Sequence, residues 1–154
     1  MRKTLATIVL GLSALVAGRA MAAEVQYDTS GKGAVLCAEL ILMETRYMSQ
    51  LCKWERTPAD EAIDQAIADI DAFVIANSSE PVTQEQLDQR KVDYFSSRPV
   101  PGEVPPPRCV ADPTKLDSDT KFLWDVHSQE AAQVVGWIAD LLSVPREPLL
   151  NPCL

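Results

Sequence analysis

Cys37, Cys52, Cys109 and Cys153 have the most definite chemistry in this chain. No two of them form a Cys-x-x-Cys unit, so a dithiol redox centre and a zinc site of closely paired ligands both lack their spacing. Covalent haem lacks its Cys-x-x-Cys-His signature as well. Two disulfides are the remaining use for four cysteines, provided the compartment is oxidising. His127 is the only histidine, with Asp125, Ser128 and Glu130 close by. Neighbours in sequence do not make a Ser-His-acid triad, and no nucleophile-elbow motif is present. One histidine also cannot supply a His-rich metal site. Asp60, Glu61, Asp64 and Asp69 fall within about two helical turns. No calcium-loop pattern accompanies them, and the acidic outer face of an amphipathic helix accounts for them. No catalytic residue, cofactor or metal ligand is therefore assigned. His127 is expected on a core stripe, hydrogen-bonded and partly buried. Trp54 is expected in the core. Burial is also the expectation for Trp124 and Trp137, but exposure of either would mark a partner-binding patch, with His127 beside it.

The compartment is read from the start of the chain. Arg2 and Lys3 precede an apolar run from Leu5 to Ala17, and Ala20-Met21-Ala22 closes it with small residues. This is the three-part pattern of a secretory signal peptide cleaved after Ala22. This stretch of 13 residues falls short of the roughly 20 needed to span a bilayer. The expected mature protein is a single domain over 23–154, periplasmic or secreted, without stable membrane insertion. The chain has 14 basic and 22 acidic residues. Three of the basic ones, Arg2, Lys3 and Arg19, lie in the signal, which leaves a mature net charge of −11. That charge repels nucleic acid and anionic membranes and suits a cationic partner.

The elements follow from hydrophobic periodicity. Leu36, Leu40, Met43, Tyr47, Leu51 and Trp54 recur at steps of three and four, which predicts a helix over 33–54. Glu39, Glu44, Arg46, Ser49 and Lys53 are expected on its other side. Thr57-Pro58-Ala59-Asp60 is a helix start. It opens an amphipathic helix over 58–76 with Asp60 and Asp71 facing away from the core. Thr83 and Gln86 form a capping box for a weaker helix over 84–96 with Leu87, Tyr94 and Phe95 as its buried candidates. Six prolines between Pro99 and Pro113 make 98–117 an extended crossover rather than a regular element. Leu123, His127, Ala131, Val134, Ile138 and Leu141 form one stripe over 119–143, as a single helix or as two that break near Ser128. Residues 23–32 are expected to form a loose arm. No period-two β-branched run occurs, so the fold class is all-α: a compact bundle of about four helices.

This arrangement narrows the cysteine pairing. Cys37 and Cys52 sit 15 residues apart on one helix, about 22 Å along its axis. A disulfide needs Cα atoms within about 7 Å, so the two cannot pair with each other. In an up-down-up-down bundle the crossover carries Cys109 to the Cys52 end, and the tail carries Cys153 to the Cys37 end. The expected pairs are Cys37 with Cys153 and Cys52 with Cys109. The leading functional expectation is a non-enzymatic protein of the cell envelope that binds another protein, in the manner of inhibitors and immunity proteins. A periplasmic acid-stress chaperone is the alternative, and an enzyme of unknown class the third.

Overall fold

The computed structural model describes residues 25–96, 98–99 and 109–153. The segment read as a signal peptide and residues 100–108 of the proline-rich crossover lie outside them. Five helices occur among the described residues: α1 (Val35–Leu51), α2 (Pro58–Asn77), α3 (Gln84–Ser96), α4 (Ser118–His127) and α5 (Ala131–Leu141). No strand accompanies them; Tyr27 and Asn151 form one isolated parallel bridge.

Local sequence sets the helix starts. Asp60 Oδ2 accepts the Thr57 N–H at 2.7 Å and Pro58 occupies the first turn of α2, where its missing N–H costs nothing. The Thr83–Gln86 box opens α3: the Thr83 N–H donates to Gln86 Oε1 at 2.8 Å, and the Gln86 N–H to Thr83 Oγ1 at 3.3 Å. Asp117 caps α4 by accepting the Thr120 N–H at 3.0 Å.

Of the two alternatives for 119–143, the structure has two helices that break at Ser128, which makes five helices rather than the expected four. Glu130 is extended (ψ 142°), and its N–H donates to Gln133 Oε1 at 3.1 Å, which starts a new helix. The two halves have different neighbours: α4 lies on α1 and α5 on α2.

The core joins Val35, Ala38 and Leu42 of α1, the Ala59-Ile63-Ala66-Ile70-Val74 stripe of α2, and Val134, Ile138 and Leu141 of α5. α1 packs against both α2 and α4, and its inward face is broader than the predicted stripe. Glu39, Thr45 and Ser49 are buried, so the placing of Glu39 and Ser49 on an outer side does not hold. Asp60 and Asp71 of α2 are buried too, against expectation. Each meets a cation brought by another helix.

Cys37 lies at disulfide distance from Cys153 (Cα–Cα 5.2 Å) and Cys52 from Cys109 (5.1 Å), the pairs that helix geometry selects. The N-terminal arm is tied down rather than loose. The Asp28 N–H donates to Asn151 O at 2.6 Å and the Leu36 N–H to Leu149 O at 3.0 Å. Arg146 completes this clamp. Its Nε donates to Asp28 Oδ2 (2.7 Å), its Nη1 to Leu141 O and Val144 O (both 2.9 Å), and its Nη2 to Gly33 O (2.7 Å). Gly33 has φ +97°, a conformation that an L side chain rarely adopts.

Candidate functional site

His127 is 2% exposed, at the end of α4. Its ring lies 5.1 Å from that of Trp54 and 5.8 Å from that of Trp124, and the two indoles meet edge to face at 5.0 Å. His127 Nε2 is 3.1 Å from Glu55 O. Its Nδ1 lies 3.4 Å from Asp60 Oδ1 and makes no hydrogen bond. Asp60 accepts from Arg46 Nη1 at 2.5 Å, and Arg46 Nε reaches Asp64 Oδ1 at 2.6 Å. The two carboxylates one turn apart on α2 thus share one guanidinium. Among the described residues no group of three His, Cys, Asp or Glu side chains is placed to hold a metal ion. This node closes the α1–α2 turn against α4, and its imidazole presents no surface to a ligand. Of the three residues nominated for a partner, His127 and Trp124 come together, while half-buried Trp137 packs against the main core from α5.

The accessible chemistry lies instead where α3 meets α1 and α2. A 13-residue helix that belonged to the core would bury a stripe, but α3 buries one apolar side chain, Leu87. Charge does the rest. Arg90 Nη2 donates to both oxygens of Glu39, at 2.8 and 3.0 Å. Lys91 pairs with Asp71, which also accepts from Gln84 Nε2 at 2.8 Å. Tyr94 donates its hydroxyl proton to Glu44, and Arg98 pairs with the same carboxylate. Glu39 and Asp71 are only 3% and 4% exposed, so the carboxylates of these pairs are largely desolvated, while Arg90 stays half-exposed. Burial raises the Glu39 carboxyl above its ordinary range; Arg90 pulls it down, but by less. Burial, reinforced by the bond to Glu44 and its charge, pushes the Tyr94 phenol up to about 12.

Two grooves flank this seam. One, of about 430 Å³, has a floor of Met43, Tyr47, Ile67 and Phe95, with Lys91 and Arg98 on its rim. The other, of about 300 Å³, lies between Leu36, Leu40, Met43, Tyr94 and Leu150. Tyr47 and Phe95 stack at 5.5 Å, and the Arg98 guanidinium sits 4.3 Å from the Tyr94 ring centre. A third groove, of about 610 Å³, opens across the Glu44–Arg98 pair toward Phe122 and Leu123 of α4. Sequence reading nominated none of the rim residues as functional. The available signal was negative: 84–96 is a well-capped helix with too few apolar residues to hold itself down.

No protein family, curated protein or solved structure matches this chain significantly. Function is therefore argued from the geometry.

Proposed function

We propose that this protein acts by binding another protein, without a catalytic role, as an exported inhibitor- or immunity-like component of the cell envelope, periplasmic or secreted. One observation carries the reading: the α1–α3 seam presents Tyr47, Phe95, Met43 and Arg98 together around accessible grooves. Aromatic residues, methionine and arginine are the types enriched where protein interfaces concentrate their energy. The two cysteine pairs at disulfide distance suit an oxidising compartment. The acidic surface favours a cationic partner. Affinity capture from an envelope extract, with the mature protein as bait, tests this. The expected result is one stoichiometric partner that is lost with a Tyr47→Ala bait. Capture indifferent to that substitution, or no partner at all, overturns it.

A second reading, an acid-stress chaperone, is favoured by a different observation. α3 is tied to the body through ion pairs that include the Glu44 and Asp71 carboxylates, and acid can neutralise carboxylates. Circular dichroism and binding of a hydrophobic dye between pH 7 and pH 3 test it. An unchanged fold without dye binding down to pH 3 rejects it.

A further inference from the structure

The inward side of α3 is unusual for an amphipathic helix. Leu87, Arg90, Lys91 and Tyr94 follow one another at helical spacing on one face, and Arg98 extends that face beyond the helix end. The stripe is one apolar anchor followed by cations and an aromatic. The surface beneath it is complementary. α1 and α2 offer Glu39, Glu44 and Asp71 around an apolar floor that includes Leu36, Leu40 and Met43. On that floor Leu87 is the one fully buried apolar side chain of α3, joined by half-buried Tyr94 and by the Phe95 ring stacked on Tyr47. The attachment of α3 is thinner than that of α2, which buries Ala59, Ile63, Ala66, Ile70, Phe73 and Val74. Elements with few buried apolar contacts open at a lower free energy than the body they rest on. When α3 leaves, the stranded carboxylates regain water, which further limits the cost of opening.

We infer that the α1–α2 surface beneath α3 is a docking site for a basic amphipathic helix of the partner, one with an apolar anchor, paired cations and an aromatic on a single face, and that α3 is the internal occupant which yields to it. This names the partner chemistry of the binding reading above and rests on it. Charge complementarity selects the occupant. Three carboxylates that already each hold a cation from α3 would reject an acidic or purely apolar helix, and would accept a helix that repeats the same pattern.

The test combines native-state hydrogen exchange with peptide binding on the full chain. In the wild type, amides of residues 84–96 exchange through an opening that leaves α1, α2 and α5 protected. Leu87→Ala raises their exchange at least about tenfold, with α1, α2 and α5 changed by less than about twofold. A synthetic peptide with the sequence of residues 84–98 is the probe. It binds Leu87→Ala at least about tenfold more tightly than it binds wild type. The same peptide with Glu replacing its equivalents of Arg90, Lys91 and Arg98 does not bind. If Leu87→Ala loses protection throughout, Lys91→Met is used in its place, with the same expectations. Exchange of α3 only together with α1 and α2 overturns the proposal. So does equal binding of the two peptides, or failure of the native peptide to bind a variant whose α3 is open. A captured partner that does not compete with the native peptide also overturns it and leaves the binding reading intact. Peptide binding with no envelope partner sinks the binding reading instead.

Discussion

The terminal clamp and the α3 seam use the same chemistry to opposite ends. In both, a guanidinium meets a largely buried carboxylate: Arg146 with Asp28, and Arg90 with Glu39. At the clamp, backbone hydrogen bonds from Asp28 and Leu36 and the Cys37–Cys153 pair run alongside the ion pair. Arg146 itself spends three of its bonds on main-chain carbonyls. At the seam the ties of α3 itself are side chain to side chain, and the main-chain bond there, from the Tyr47 hydroxyl to Pro99 O at 2.9 Å, falls beyond the helix end. A buried ion pair is weak evidence of net stability, since desolvation offsets much of its attraction. What surrounds the pair decides whether it locks a joint or merely sets its register.

The comparison can be broken first at the clamp. Replacing Cys37 and Cys153 with Ala opens a covalent loop with a sequence separation of 116 and should cost about 4–5 kcal/mol of global stability. Denaturant unfolding under non-reducing conditions measures it, and a loss of less than half that would show that the noncovalent clamp suffices. Arg146→Met should come next, at about 3 kcal/mol, because it strands the buried Asp28 carboxylate and three carbonyls. Lys91→Met should cost about 1.5 kcal/mol by the same measurement, since local undocking of α3 relieves the stranded Asp71 before the body unfolds. If Lys91→Met proves as costly as Arg146→Met, the two joints are equivalent and the contrast fails.

The smallest expected effect is on pH dependence, where the two sites have opposite signs. Burial raises the Asp28 carboxyl, but bonds from Arg146 and Ser30 outweigh it and the net shift is downward. Its stabilising contribution is present above the ordinary aspartate value and is lost as pH falls through the lowered one. Glu39 is shifted upward by burial. Its contribution is present below the ordinary glutamate value and is lost as pH rises through the raised one. Asp28→Asn should therefore flatten the acid limb of the stability–pH curve, and Glu39→Gln should remove a decline just above the ordinary glutamate range. Stability measured by denaturant at stepped pH shows both.

Much of this architecture was legible because its signals are local. Thr57-Pro58 and Thr83–Gln86 mark the starts of α2 and α3 through bonds made within three residues. The 1.5 Å rise of a helix separates Cys37 from Cys52 without knowledge of the fold. The buried charges were not legible for the converse reason. Glu39 faces inward because Arg90, 51 residues away, arrives to pair with it, and Asp71 because Lys91 does. Periodicity assigns a carboxylate to solvent unless its partner lies within a turn or two. The site was missed with them, since Tyr47, Phe95 and Arg98 become one surface only when α3 lies along α1. The α4–α5 break lay between these cases. Glu130 and Gln133 carry a capping pattern, but the stripe from Leu123 to Leu141 runs through it.

The pairing of Cys37 with Cys153 also has a mechanical consequence. Everything from Cys37 to Cys153 lies within one covalent circuit. Tension between residue 25 and residue 153 would load the Tyr27–Asn151 bridge and the Arg146 contacts, peel the arm before Cys37, and then stop. The helices beyond would carry no load while the sulfur–sulfur bond held. Under a pulling force this chain should extend by little more than its N-terminal arm, and only a reductant should release the rest.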